Sequence, residues 1–266
     1  MTAGTGDRSR FSSSGTGDRS GFYHCGTGDR SGLLIVCATG NEHKLGEFRQ
    51  IIVDALPENI FDMMSQKTAA KIVGAAYCSP EETGSTFGEN AYIKAAALEK
   101  FIFESESFRE YAEGYSATCV IADDSGLCVD ALGGAPGVYS ARYASDPGSF
   151  EDADDAKNVE KLLKNMENVA EEMRTARFEC HITALLRSGN APGYTRVRIE
   201  TSGDLKGRIT HETKGTGGFG YDPVLYIPEL GKTTAMLSPE EKNKISHRGR
   251  ALRKAAETIY DCLRKL

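Results

Sequence analysis

Apolar runs alternate along the chain with helical periodicities. LLIVCA, residues 33–38, is continuously apolar, the pattern of a strand buried on both faces. Beyond the polar TGN, Leu45, Phe48, Ile52 and Leu56 recur at three- and four-residue steps, which predicts a helix with one apolar face and with Asn41 and Lys44 in its first turn. A second helix is predicted over 89–104, with Ile93, Ala97 and Phe101 along one side, and then a strand at 118–122 that ends on Asp123 and Asp124. Helical spacing returns over 152–170 through Val159, Leu162, Leu163 and Met166. FECHITALL and TRVRIE, separated by the turn-rich SGNAPG, read as the two strands of a hairpin, and PVLYI and TTAML as further short strands. Ser238-Pro239-Glu240-Glu241 has the marks of a helix start: a capping serine, proline at the first position and glutamate at the third. A closing helix places Leu252, Ala255, Ile259, Leu263 and Leu266 on one side. Strands and helices in alternation, with a late hairpin, predict an α/β fold with a mixed sheet.

The first 31 residues break this pattern. GTGDRS occurs three times, starting at Gly4, Gly15 and Gly26, with almost nothing apolar to bury. Residues 1–31 are therefore expected to be a disordered extension and residues 32–266 the folded domain. With 39% hydrophobic and 26% charged residues, the composition is that of an ordinary globular protein. No window nears the roughly 18 apolar residues of a membrane span and the N-terminus lacks the apolar core of a secretory signal, so no membrane partner and a cytoplasmic location are expected. A net charge of -6 argues against a nucleic-acid binder, but a local cluster of cations can still hold a small anion. The seven cysteines, at 25, 37, 78, 119, 128, 180 and 262, include no C-x-x-C pair and read as reduced structural thiols rather than a zinc site.

Charge then changes the picture at a few places. VIADDSGL, residues 120–127, seats two carboxylates side by side at a predicted strand end, an arrangement that needs a positive partner when partly buried. ATGNEHK, residues 38–44, puts Gly40 and Lys44 at a strand-to-helix junction, which suits an anion site, although an Asn-capped helix with a solvent-facing lysine explains it equally well. GTGGFG at 215–220 matches a dinucleotide fingerprint in letters but not in context, since no strand leads in and Pro223 follows. On that glycine-rich loop Phe219 and Tyr221 either stack on a base, with Asp222 accepting from it, or pin the loop to the core. EEKNKISHR, residues 240–248, is either a solvated charged face or, after a break at Ser246, a set of forked donors from His247 and Arg248 with Lys242 and Lys244 nearby. Glu82 is either an exposed turn acid or a ligand for Mg²⁺, and the turn ending in Arg142 needs only turn chemistry.

TGNEHK, FGENAYIKA, IADDSGLCVDALGGAPGVYSARY, GTGGFGYDP and EEKNKISHR, in this order, resemble the inosine/xanthosine triphosphate pyrophosphatase family over about residues 33–266. The resemblance implies an elongated α/β fold, a long mixed β-sheet whose flanking helices form two lobes around a central cleft. It implies Mg²⁺-dependent hydrolysis of ITP, dITP and XTP to the monophosphate and pyrophosphate, by a homodimer. By the family's motifs Asp124 would be the proton acceptor and a metal ligand, with Asp123 and Lys94 beside it and Glu82 near the metal. Thr39, Gly40, Asn41, Lys44 and Ser125 would bind the triphosphate, and Phe219, Gly220, Tyr221, Asp222, Lys242, His247 and Arg248 the nucleotide and its base. Met236, where many relatives are acidic, and the absence of a tryptophan before Gly207 depart from the pattern. The two aspartates are expected to tolerate adjacency by sharing one cation. Two rivals stay open: a related pyrophosphatase for other modified nucleotides, and an inactive nucleotide-binding regulator.

Overall fold

The computed structural model describes residues 22–24, 32–57, 60–146, 149, 151–188 and 194–265. Its elements are β1 (Phe22–His24), β2 (Leu33–Cys37), α1 (Glu42–Ala55), β3 (Phe61–Ser65), α2 (Gln66–Val73), α3 (Phe87–Glu104), α4 (Glu106–Ala112), β4 (Ala117–Val129), α5 (Asp155–Asn165), β5 (Thr175–Ser188), β6 (Thr195–Ile209), β7 (Leu225–Ile227), β8 (Lys232–Thr233), α6 (Pro239–Ile245) and α7 (His247–Leu263). The strands form one eight-stranded mixed sheet in the order β1-β3-β2-β4-β5-β6-β7-β8. β3, β2 and β4 run parallel, and from β4 onward each strand is antiparallel to the next. The expected α/β class and mixed sheet are what the chain adopts.

The period of two along a strand divides the interior. Leu33, Ile35 and Cys37 of β2 with Cys119 and Ile121 of β4 face Phe48 and Ile52 of α1 and Leu252 and Ile259 of α7. Leu34, Val36, Val120 and Ala122 face the other way, onto Ala95, Leu98 and Ile102 of α3 and Phe108 of α4. A third cluster lies at the far half of the sheet, where α5 lays Val159, Leu162 and Met166 against Leu127, Phe178, Leu205 and Tyr221. The first two clusters sandwich the parallel half and the third packs a second lobe onto the long antiparallel strands.

Several expectations are corrected. The strand carrying the aspartates does not end on them: β4 continues to Val129, and it is the neighbouring β2 that stops, at Cys37 opposite Ile121. α3 buries Phe87, Ala91, Ala95, Leu98 and Ile102 rather than the face of Ile93, Ala97 and Phe101. Small alanines let the helix lie close on the sheet, while Phe101 packs sideways on Tyr77 with ring centroids 5.0 Å apart. TTAML is strand only at its first residue, and Thr234–Met236 turns into a single 3₁₀ coil. β3, α2 and α4 were not anticipated; FDMMS hides its strand because Asp62 interrupts the apolar run, and that buried carboxylate is met by the Tyr115 hydroxyl at 2.8 Å.

The repeats at Gly4, Gly15 and Gly26, Cys25, most of SGNAPG and Leu266 lie outside the described residues. Of the expected disordered extension, Phe22–His24 is described and is a strand instead, its backbone pairing antiparallel with the open edge of β3. The described cysteines are free thiols, buried except for the exposed Cys78 and the half-buried Cys262. No described helix is long and apolar enough to cross a membrane.

Candidate functional site

Because β2 ends early, residues 122–126 of β4 pair only with β5, and the edge they leave free opens into a cleft of about 990 Å³ between the two lobes, whereas beyond them Leu127 N–H donates to Ser140 Oγ and Cys128 bridges Pro136. Asp123 and Asp124 are the second and third residues past the last β2 pair. Strand alternation sends them to opposite faces, so their direct ion pairs are made with different cations. Asp123 continues the α1/α7 face, where Lys44 Nζ lies 3.3 Å and Arg248 Nε 3.2 Å from its Oδ2. Asp124 continues the α3 face, where Lys94 Nζ lies 3.0 Å from Oδ1 and Asn90 Nδ2 donates to Oδ2 at 3.1 Å.

The two environments push the acids apart. Burial alone raises the Asp123 carboxyl, but Lys44, Arg248 and Lys94 together outweigh it and hold the group well below the usual carboxylate range. At Asp124 burial dominates, opposed by Lys94 and reinforced by the charge of Glu82, and its affinity for a proton is raised. An ionised carboxylate beside one poised to take up a proton is the division of labour that acid-base chemistry requires. Burial also disfavours the charge on Lys94, yet Asp124 and Glu82 keep it protonated, its pKa moved up.

The cation side is built by α1, α6 and α7. Asn41 caps α1, accepting from the Lys44 N–H at 3.1 Å, and its own N–H donates to Thr39 Oγ1 at 3.2 Å. The junction is thus an Asn-capped helix whose lysine points to Asp123 and not to solvent. Ser246 ends α6 and caps α7, accepting from the Gly249 N–H at 3.0 Å. That break turns Lys242, His247 and Arg248 inward, all three buried, while Lys244 stays exposed. Glu47, one turn after Lys44, ties them: Lys242 Nζ is 3.2 Å from Oε1, and Arg248 Nη1 bonds Oε2. Arg248 Nη2 also donates to Ser125 Oγ at 3.0 Å.

Of the glycine-rich loop, Tyr221 is the pin, buried with its hydroxyl on the Ser140 carbonyl at 2.9 Å. Asp222 is a brace. Its Oδ2 accepts from the Phe219 N–H at 2.9 Å and from Lys242 Nζ at 2.8 Å, and its Oδ1 from Thr234 Oγ1 at 2.9 Å. Gly218, at φ +75°, allows this, since a Cβ there would sit 2.0 Å from the Asp222 carboxylate. Gly220 donates to Asp155 Oδ2 at 2.7 Å, fastening the loop to the start of α5. Phe219 is left half-buried on the cleft wall, 4.6 Å from Lys242 Nζ and 5.7 Å from the Arg248 guanidinium. Behind it His247 stacks on Phe178 with ring centroids 4.9 Å apart. Burial, then Arg248 and Lys242, push its pKa well down, so the ring is neutral, and its Nδ1 finds no partner among the described residues.

Every residue that the family resemblance assigns to the site lines this one cleft, while Lys244 does not: Thr39, Gly40, Asn41, Lys44, Glu82, Lys94, Asp123, Asp124, Ser125, Phe219, Gly220, Tyr221, Asp222, Lys242, His247 and Arg248. Glu47, Asn90, Asp155 and Phe178 were missed. Only Glu47 had a signal, its spacing of three from Lys44 on the same helix face. As a metal centre, Glu82 and Asp124 are the fitting donors, since both carboxylates converge on Lys94 Nζ, at 2.9 and 3.0 Å, and hard oxygens suit Mg²⁺. Among the described residues no three acidic, histidine or cysteine side chains cluster tightly enough to hold a metal alone. A cation here would complete its shell with phosphate and water oxygens.

Fold and cleft define a class: an α/β protein whose inter-lobe groove sets buried carboxylates among lysines and arginine, built for a polyanionic ligand. Residues 35–258 match the sequence model of the Ham1 family, and the chain belongs to that family. A dITP/XTP pyrophosphatase of Geobacillus kaustophilus is 43% identical over 223 residues, 84% of this chain and 92% of that protein. The dITP/XTP pyrophosphatase of Escherichia coli is 42% identical over 230 residues, 86% of this chain and 98% of that protein. The solved Ham1 protein from Coxiella burnetii superposes with a TM-score of 0.66 at 35% identity, covering 86% of this chain and 99% of its own.

Proposed function

We propose that this chain hydrolyses the non-standard purine nucleoside triphosphates ITP, dITP and XTP to the monophosphate and pyrophosphate, clearing them from the nucleotide pool. The observation that carries the reading is a cleft of about 990 Å³, large enough to enclose a nucleotide, in which Lys44 and Arg248 pair with Asp123 and Lys94 pairs with Asp124. The names of the relatives from Geobacillus kaustophilus and Escherichia coli support the choice of substrate.

In this reading Asp124 accepts the proton of a water that attacks the α-phosphorus, the bond to the bridging oxygen breaks, and pyrophosphate leaves with that oxygen. Lys44, Lys94 and the amides at the start of α1 stabilise the charge that grows on the leaving group. Mg²⁺, held by Asp124 and Glu82, would neutralise phosphate charge and polarise the attacked centre. Phe219 offers a stacking face for the base, and neutral His247 and charged Arg248 offer donors to a 6-carbonyl. An adenine 6-amino group would leave such buried donors unpaired, a mismatch worth factors of about 10⁴. The same reading has a cytoplasmic homodimer acting on free nucleotides.

Pyrophosphate release from ITP, XTP, GTP and ATP, with and without Mg²⁺, tests this. Release from ITP and XTP that depends on Mg²⁺ and exceeds that from ATP and GTP is expected. Preference for ATP or GTP overturns the base assignment, and binding without release overturns the enzyme.

A further inference from the structure

Asn90 is fully buried on the inner face of α3 and does not line the cleft. Its side-chain amide is engaged at both ends. Nδ2 donates to Asp124 Oδ2 at 3.1 Å, and Oδ1 accepts from the Gly84 N–H at 2.7 Å. These partners determine the orientation, because a flipped amide would turn an oxygen toward the carboxylate and an NH₂ toward the Gly84 N–H. The second contact needs glycine: a Cβ at position 84 would lie 2.6 Å from Asn90 Oδ1 and 3.0 Å from the Asn90 backbone nitrogen. Two residues before Gly84 the same loop carries Glu82, whose Oε1 meets Lys94 Nζ at 2.9 Å, beside the Asp124 contact at 3.0 Å. From the second lobe, Arg142 Nη2 donates to the Glu82 carbonyl at 3.3 Å.

We propose that Asn90 is a positioning residue for the reaction, holding the Asp124 carboxylate in its working rotamer and, through Gly84, the Glu82 loop at the matching distance. The inference rests on the pyrophosphatase reading. Its physical content concerns what remains when substrate arrives. Phosphate oxygens compete for the Lys94 ammonium and loosen its hold on Asp124 Oδ1, which leaves the Asn90 amide as the anchor on Oδ2. A carboxylate has a broad torsional well about its terminal bond. Without that anchor it spends less time aimed at the attacking water, and a misplacement of about 1 Å is enough to lower a rate on the order of 100-fold. Binding of the nucleotide, which relies on other side chains, is unaffected.

The test compares Asn90→Leu, of similar size but without donor or acceptor, with the parent protein and with Gly84→Ala, which forces the loop off the amide from the other side. Turnover and KM for ITP are measured by pyrophosphate release, binding of inosine monophosphate by calorimetry, and folding by thermal unfolding. The expected result for both variants is kcat lowered about 10- to 100-fold, with KM and monophosphate affinity within about threefold of the parent. Parental kcat in a folded Asn90→Leu protein overturns the proposal, as does a parallel loss of kcat, KM and monophosphate binding, which marks a merely structural residue. If Asn90→Leu does not fold, Gly84→Ala decides by the same criteria. A parent that binds the monophosphate but releases no pyrophosphate from any nucleotide defeats the pyrophosphatase reading and this inference with it. A parent that is active beside a fully active variant defeats this inference alone.

Discussion

Arg248 Nε donates to Asp123 Oδ2 at 3.2 Å, between residues 125 positions apart whose side chains are each 2% exposed. The same guanidinium reaches Glu47 and Ser125, so one side chain closes α7, α1 and β4 onto one another. Burial by itself disfavours the charge, but Asp123 and Glu47 raise its affinity for the proton and keep the pair ionic. Arg248→Met leaves Asp123 with one direct ion pair, to Lys44, and Glu47 with one, to Lys242. A loss of about 3 kcal/mol in urea unfolding is expected, since removing one partner strands a buried charge. A loss below about 0.5 kcal/mol, the range of an ordinary surface change, would refute the closure.

His247 sets a pH dependence of stability. Its folded-state pKa is depressed by burial and by Arg248 and Lys242, against 6.5 for the free side chain. Above that value neither state binds the proton. Below it the unfolded chain takes up a proton that the folded ring refuses, so stability declines as pH falls from 6.5 toward the depressed value, by up to about 1.4 kcal/mol per unit. His247→Phe keeps the stack on Phe178 and removes the titration. Urea titrations of the two proteins should differ in slope in this window, and identical slopes would exclude His247 as the source.

Asp124→Asn should lower turnover by two orders of magnitude or more, the span of general-base catalysis being about 10²–10⁴-fold, while substrate still binds. Hydrolysis in ¹⁸O-water should label the monophosphate; label in pyrophosphate places the attack at the β-phosphorus.

Two glycines should respond in opposite directions. A Cβ at Gly126 would lie 2.4 Å from Ser140 Oγ and 2.5 Å from the Gly137 carbonyl, so Gly126→Ala should destabilise by about 1–3 kcal/mol. It should also raise KM, because the Ser140 carbonyl anchors Tyr221 on the loop of Phe219. At Gly46, exposed within α1, a Cβ meets nothing within 4 Å, and Gly46→Ala should stabilise by up to about 1 kcal/mol through helix propensity. Thermal unfolding of both variants measures the contrast.

Local chemistry made much of the fold legible. The run at Leu33–Cys37, the spacing of Leu45, Phe48 and Ile52, the capping box at Ser238 and Glu241 and the β5–β6 pair each declare themselves within a few residues, because the forces that select them act over one turn or one strand. The clustering of the chemically distinctive stretches was legible as well, through their resemblance to one family. Less was legible where a neighbour decides. The inner face of α3 could not be read from its own apolar positions, because closeness to the sheet favoured Ala91 and Ala95 over Ile93.

The chain by itself therefore determined which segments become strands and helices, and that two carboxylates would need positive company. Which company they receive was decided only by tertiary structure. β2 stops where β4 runs on, and strand alternation then turns Asp123 toward α1 and α7 and Asp124 toward α3. Glu47, Asn90 and Asp155 acquire their places only through this assembly, since a single hydrogen-bonding side chain carries no sign in the sequence of the distant atom it will meet. Spacing along a chain encodes local periodicity, whereas the partner of a buried charge depends on how layers more than a hundred residues apart come together.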